Sequence, residues 1–295
     1  MKNEEYNQSK VTAPSLVRLE ETLDTSRTGR AGGESSEGES TTVIKVGGAV
    51  VEDAVQLATL LDNFVALPGP KILVHGGGRS ATALAAQLGI ESRMVGGRRI
   101  TDAETLRVVT MVYAGLVNKN IVAALQARGI NALGLCGADL NLIRAHRRPV
   151  TPEGIDFGYV GDVDSADGQR LRQLLDAGIT PVIAPLTHDG YGNLLNTNAD
   201  TMAQTVATAL SSEKVSLTFC FELPGVMRDP NDLSSCIPLI TEQDFRDLVA
   251  DGTIAGGMIP KLENAFRAIH AGVFAVRITN INDLQGGTVI LKNDE

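Results

Sequence analysis

Five short runs in this 295-residue chain combine residue types that can manage a phosphate and a carboxylate together. The first is Lys45-Val46-Gly47-Gly48, where Lys45 closes a run of β-branched residues and two glycines follow. Ligands of open α/β sheets bind at that end of a strand, and glycine lets the backbone approach a phosphate and present its N–H groups. On this run alone, a solvated Lys beside an ordinary turn reads equally well. The second, His75-Gly76-Gly77-Gly78, precedes a helical pattern from Ala81 to Leu88. Three glycines exceed what one tight turn needs and suit an anion cradle at a helix N-terminus. The third is Gly96-Gly97-Arg98-Arg99-Ile100-Thr101-Asp102, where a double Arg can fork onto a carboxylate or simply form a basic turn. In the fourth, Asn196-Thr197-Asn198-Ala199-Asp200, two amides can bond an amide or carboxylate ligand, and Asp200 can orient lysines. Helix capping would explain Asn198 and Asp200 but not Asn196. The fifth, Gly256-Gly257-Met258-Ile259-Pro260-Lys261, places Lys261 in the first turn of a helix. A cation there opposes the helix dipole unless an anion sits at the same place.

Three look-alike motifs fail on missing partners. His-Gly-Gly-Gly as a hydrolase oxyanion hole requires a Gly-x-Ser-x-Gly elbow, which the chain lacks. Asp156-Phe157-Gly158 spells a protein-kinase motif, but the nearest approach to its His-Arg-Asp loop is His146-Arg147-Arg148. No Gly-Lys dipeptide occurs, so a Walker A loop is excluded.

The elements that must position these runs alternate. Strand-like stretches are expected at Thr42–Val46, Lys71–His75, Ala132–Cys136, Pro181–Ala184, Val215–Phe219 and Phe274–Ile278, with helical patterns between most of them. Such alternation implies a mainly parallel sheet covered by helices on both faces. Ile143–Val163 reads instead as a hairpin around a turn at Pro152–Gly154. Ala199, Met202, Ala203, Val206, Ala207 and Leu210 mark one helix, capped by Asn198. A second is expected from about Pro260, as first helical residue, to Ala271, with Gly272 ending it. Residues 1–40, rich in Ser, Gly, Glu and Arg from Thr25 onward, are expected to be a disordered extension with at most a loose helix over residues 12–24.

The formal net charge of −9 disfavours a non-specific nucleic-acid binder. Three widely spaced Cys with no C-x-x-C argue against a disulfide framework or zinc site and suit a reducing cytoplasm. No apolar run of membrane-spanning length and no signal segment is expected.

In this order, from about Thr42 to Ile290, the five runs resemble the amino-acid kinase family, and within it the branch acting on N-acylated glutamate. The resemblance implies an α/β fold, a three-layer αβα sandwich with a mainly parallel central sheet. It implies one kinase domain over residues 41–295, with a lobe at about 41–190 binding the acceptor and one at about 191–295 binding ATP. The implied reaction is ATP-dependent phosphorylation of the side-chain carboxylate of N-acetyl-L-glutamate, the second step of arginine biosynthesis. N-succinyl-L-glutamate as acceptor, or a non-catalytic sensor on the same fold, stand as alternatives. Carried over residue by residue, Lys45 and Lys261 would contact the transferred phosphoryl group and Asp200 would hold both lysines. Gly76, Gly77, Arg99, Asn196 and Asn198 would bind the acceptor, with Arg99 on its α-carboxylate. Gly47, Gly48, Glu222, Gly225, Gly257 and Met258 would serve the nucleotide. Magnesium would arrive on ATP rather than on a protein metal site, and a homodimer would form through a long helix near Leu106–Val122. The chain ends soon after Gly286-Gly287-Thr288 without the stretch seen in arginine-inhibited hexameric relatives, so arginine inhibition is not expected. One departure stands out. Where relatives commonly carry Thr/Ser-Asp-Val-x-Gly, this chain reads Cys220-Phe221-Glu222-Leu223-Pro224-Gly225-Val226. Phe221 there is expected to fill the core rather than pack on adenine.

The chemistry implied also accounts for the lack of an obvious general base. A carboxylate acceptor with a reference pKa of about 4.3 is already ionised at neutral pH. The site must instead bring two anions together, by positioning and charge neutralisation.

Overall fold

The computed structural model describes residues 40–212 and 214–292. The expectations for residues 1–39, the extension and its helix, lie outside the described residues. The compact unit to which the described residues belong runs from Gly38 to Glu295. Its strands are β1 (Thr41–Val46), β2 (Lys71–His75), β3 (Met94–Val95), β4 (Arg98–Arg99), β5 (Ala132–Leu135), β6 (Ile143–Arg147), β7 (Gly161–Ala166), β8 (Thr180–Ile183), β9 (Leu186–His188), β10 (Leu194–Asn196), β11 (Val215–Cys220), β12 (Leu239–Ile240), β13 (Ala275–Thr279) and β14 (Thr288–Ile290). Its helices are α1 (Gly48–Glu52), α2 (Ala54–Ala66), α3 (Gly78–Gln87), α4 (Ala103–Thr110), α5 (Asn118–Gln126), α6 (Gly168–Asp176), α7 (Ala199–Ala209), α8 (Glu242–Ala250) and α9 (Met258–His270).

Eight strands form the central sheet in the order β12-β14-β13-β11-β1-β2-β8-β5. Every pairing in it is parallel except β13 with β14. Parallel strands must be buried on both faces, and the side chains divide accordingly. Val43, Ile72 and Val74 join one core cluster with Met202, Val206 and Leu262 of α7 and α9. Ile44, Val46 and Leu73, one residue out of phase, join the other with Leu60 and Phe64 of α2 and Ile121 of α5. The period of two along β1 and β2 therefore makes three layers.

This alternation also aims Lys45. It has the same parity as Val43, so it projects toward the face covered by α7 and α9, at the strand's C-terminal end. The first turns of α7 and α9 hold Asp200 and Lys261. Asn198 caps α7 as expected, accepting from the N–H groups of Asp200 and Thr201. Helix α9 begins at Met258, two residues before the expected start. Pro260 is thus its third residue, still within the first turn where a missing N–H breaks no helical bond. Gly272, at a φ of +101°, follows its end.

The segment Ile143–Val163 does pair back on itself, β6 against β7, but through a long loop in which the turn closing at Gly154 is only one part. It belongs to a four-stranded sheet, β10-β9-β6-β7, that was not foreseen. Strands β9 and β10 are only three residues long each and carry Thr, His and Asn, so they present no run of β-branched residues. Helices α4 and α5 are joined through a π-helical stretch, Met111–Val117, into one helix over Ala103–Gln126. By length and composition this helix passes for a membrane span, contrary to the expectation of no such run. Its apolar character has a core explanation: Val108, Val109, Val112, Ile121 and Leu125 are fully buried against the sheet.

Candidate active site

The two glycine runs meet at the C-terminal edge of β1 and β2. Gly76 N–H donates to the Val46 carbonyl at 3.0 Å, which continues the pairing of the two strands into the loops. A Cβ on Gly76 would stand 2.9 Å from the Gly48 nitrogen, and one on Gly48 would stand 3.3 and 3.4 Å from the Gly78 and Gly77 nitrogens. A Cβ on Gly77 would lie 2.9 Å from Tyr113 Cδ1. The glycines are required because two backbones and a tyrosine ring share one small space. Their closeness gathers the N–H groups of Gly48, Gly77 and Gly78 where α1 and α3 begin, an arrangement that suits an anion.

His75 holds this cradle from beneath. It is fully buried. Its Nδ1 lies 2.8 Å from the Gly76 carbonyl, which can only accept, so Nδ1 carries the proton. Asn118 Nδ2 donates to His75 Nε2 at 3.1 Å and to the Val182 carbonyl at 2.9 Å. Burial pushes the imidazole pKa down to about 4, outweighing the Gly76 bond, which raises it; the Lys119 charge lowers it further. The ring is therefore neutral at physiological pH.

Two cavities flank the glycine loops. The smaller, about 200 Å³, is lined by Gly76, Gly77, Gly78, Arg99, Asn196 and Asn198 among others. Arg98 and Arg99 form β4, and with β3 they make a hairpin turned by Gly96 and Gly97 at φ values of +54° and +74°. That geometry is open to Gly-Gly at little cost. Arg99 is buried and fully oriented: Nη1 donates to Ser92 Oγ at 2.8 Å, and Nη2 to the Gly78 carbonyl at 2.9 Å and Thr82 Oγ1 at 2.8 Å. Asn196, also buried, donates from Nδ2 to Thr101 Oγ1 at 3.0 Å. Burial pushes the Tyr113 phenol up, with the Arg99 guanidinium opposing that shift. The wall residues Met94, Arg98, Tyr113, Val160 and Pro185 were not foreseen as site residues. Only the double-Arg run carried any local signal.

The larger cavity, about 1000 Å³, is lined by Lys45, Gly47, Glu222, Gly225, Met258 and Lys261 together with Phe221, Asn280 and Asn282. Gly48 and Gly257 stand outside the lining of both cavities. Gly48 is packed against the Gly77 and Gly78 amides, and Gly257 is the N-cap of α9. Gly225 is explained by packing, since a Cβ there would meet Cys236 Sγ at 2.5 Å. Lys45 Nζ lies 2.7 Å from Asp200 Oδ1, with the lysine side chain 11% and the aspartate 43% exposed. Lys261 does not share that carboxylate among the ion pairs of the described residues. Its Nζ instead lies over the Phe221 ring, 4.0 Å from the centroid, and Lys45 Nζ is 6.0 Å from the same centroid. Of the two contacts expected of Asp200, the structure makes the one to Lys45. Phe221 packs against the core as expected, yet its ring also faces the cavity. All three Cys are free, and burial pushes the Cys220 thiol up to about 12, so it is inert at this edge.

Comparison with known proteins agrees with this geometry. The sequence profile of the Amino acid kinase family matches residues 40–280. The chain belongs to the amino acid kinase family. Among relatives in this family, the acetylglutamate kinase of Bacteroides thetaiotaomicron is 64% identical over 242 residues, 82% of this chain and 93% of the relative. The acetylglutamate kinase of Bacteroides fragilis is 60% identical over 257 residues, 86% of this chain and 98% of the relative. Among solved structures, N-acetylglutamate synthase from Neisseria gonorrhoeae, complexed with coenzyme A and N-acetyl-glutamate, superposes with a TM-score of 0.73 at 24% identity. That match covers 88% of this chain and 61% of the synthase, and it speaks to the kinase-family fold alone.

Proposed function

We propose that the chain is a kinase that transfers the γ-phosphoryl group of ATP to the side-chain carboxylate of N-acetyl-L-glutamate, the second step of arginine biosynthesis. The observation that carries this reading is the pair of cavities meeting at the glycine loops, with two lysines on one side and a pinned arginine on the other. The high identity to relatives named acetylglutamate kinase supports the acceptor.

The acceptor occupies the smaller cavity with its α-carboxylate on Arg99 and its amide near Asn196 and Asn198. A side-chain carboxylate oxygen then reaches the glycine loops and attacks the γ-phosphorus. A new O–P bond forms, the bond to the β,γ-bridging oxygen breaks, and ADP leaves with that electron pair. No proton moves, because the attacking group is already an anion. What opposes reaction is repulsion between two anions, and Lys45, Lys261 and the loop N–H groups offset it. Glu222, Gly225 and Met258 line the nucleotide side. Among the described residues no group of three His, Cys, Asp or Glu is placed to hold a metal. Magnesium brought in with ATP would supply charge neutralisation at the phosphates.

The acceptor lobe corresponds to about 41–190 and the nucleotide lobe to about 191–295, on one continuous sheet. Lys45 and Gly47 cross that division, since they lie on the nucleotide cavity. The protein works in the cytoplasm as a homodimer through the helix Ala103–Gln126, whose Met111 and Leu116 are exposed apolar residues. A coupled ADP-release assay with magnesium-ATP tests the activity. N-acetyl-glutamate should turn over, with N-succinyl-glutamate, glutamate and aspartate slow. Folded protein inactive on all four would overturn the assignment.

A further inference from the structure

The cluster at the end of β11 carries a role that the phosphoryl-transfer reading leaves unassigned. Two ammonium groups approach one aromatic ring: Lys261 Nζ at 4.0 Å and Lys45 Nζ at 6.0 Å from the Phe221 centroid. Both distances fall within the range over which a ring quadrupole attracts a cation, about 6 Å. The lysines come from different elements, the end of β1 and the first turn of α9, and so depend on a third group to set their separation. The ring itself is fixed. Phe221 N–H donates to the Thr279 carbonyl at 2.7 Å, and the ring stacks on Phe219 at 6.1 Å with planes 13° apart. It also packs, half-buried, against the core on the α7 and α9 face.

We propose that Phe221 is a positioning residue whose ring holds Lys45 and Lys261 ready for the nucleotide phosphates. This inference rests on the phosphoryl-transfer reading. Asp200 already cancels the charge of one lysine through its 2.7 Å ion pair. A second carboxylate at position 221 would orient Lys261 too, but it would remove the remaining positive charge and compete with the incoming anion. A ring attracts both cations without neutralising either, and a phosphate can still bind their outer faces. The local conflict of Lys261 with its own helix dipole is eased in the same way, by an electron-rich surface in place of an anion.

The experiment replaces Phe221 in the full chain by 4-fluoro-, 3,5-difluoro- and 3,4,5-trifluoro-phenylalanine. These keep the shape of the ring while weakening its negative face. Phe221→Leu and Phe221→Tyr complete the set. The expected result is a graded fall in kcat and in magnesium-ATP affinity with fluorine number, reaching about tenfold for Phe221→Leu. Phe221→Tyr should stay within about threefold of the parent, and KM for the acceptor should not move. A flat fluorine series overturns the proposal, even if Phe221→Leu is inactive, because only packing would then be at stake. Calorimetric binding of magnesium-ATP reads the same series without turnover. A parent that binds ATP with graded fluorine sensitivity but phosphorylates none of the acceptors would overturn the acceptor assignment and leave the role of Phe221 standing.

Discussion

The two cavities of this molecule solve recognition by opposite means. On the side proposed for the acceptor, about 200 Å³, the charged group is immobilised before any ligand arrives, with three hydrogen bonds on the Arg99 guanidinium and one on the Asn196 amide. On the side proposed for the nucleotide, about 1000 Å³, Lys45 pairs with one carboxylate and both lysines lie by one ring. A small acceptor must be told from close analogues, and that needs donors at fixed positions whose loss leaves buried groups unpaired. A polyphosphate needs field and backbone donors, and it tolerates more latitude. The contrast predicts that acceptor-side substitutions act on selectivity and KM, and nucleotide-side substitutions act on rate.

The largest effect should come from the lysines. Lys45→Ala or Lys261→Ala should each lower kcat by about 10²–10³-fold, the usual cost of one donor to developing charge. Steady-state kinetics would measure this, and a loss confined to KM would break the contrast between the cavities. Next comes Arg99→Lys. A point charge cannot reproduce a fork bonded to Ser92, Gly78 and Thr82, so kcat/KM for the acceptor should fall by about 10²-fold, with KM for ATP unchanged. An equal rise in both KM values would show that the cavities are not independent.

The third prediction concerns the cradle between them. The His75 pKa of about 4 lies below the ordinary 6.5, so the unfolded chain binds the proton more readily than the folded one. Stability is therefore fully present above pH 6.5 and is lost as pH falls toward 4, by about 3 kcal/mol in all. Urea unfolding at pH 7 and pH 4.5 should show this slope, and His75→Gln should flatten it. A smaller effect is expected for Gly77→Ala, whose Cβ would meet Tyr113 Cδ1 at 2.9 Å. A loss of about 1–3 kcal/mol by thermal unfolding fits such overpacking, and Tyr113→Leu should recover part of it. The smallest concerns a surface control: Arg107→Ala breaks an exposed pair to Glu104, 3.0 Å, and should change stability by less than about 0.5 kcal/mol.

Much of the sheet was legible because most of its strands are short apolar runs rich in β-branched residues, and glycine follows β1 and β2 at once. The hairpin of β3 and β4 was not. It is two residues deep, and its signal was the Gly96-Gly97 turn rather than any strand propensity. The four-stranded sheet escaped for a related reason. Strands β9 and β10 are short and carry Thr, His and Asn, and they are strands because β6 offers a partner to β9 and β9 one to β10. In the site, the glycine runs, both lysines, Arg99 and Asp200 could be named from residue type and order. The dual contact of Phe221 could not, since an aromatic after a buried strand reads as core.

The sequence by itself determined the alternation that makes the sheet, the parity that sends Lys45 to the α7 and α9 face, and the helix start that places Asp200. These follow from local periodicity and capping, which act within a few residues. Tertiary structure alone decided which lysine Asp200 would pair with and that the Phe221 ring would come within reach of both Lys45 and Lys261. It also decided that the loops would press together at Gly48, Gly76 and Gly77 closely enough to crowd a Cβ at each. These contacts join residues far apart in the chain, and their partners are chosen by the packing of strands and helices against one another rather than by anything nearby in sequence.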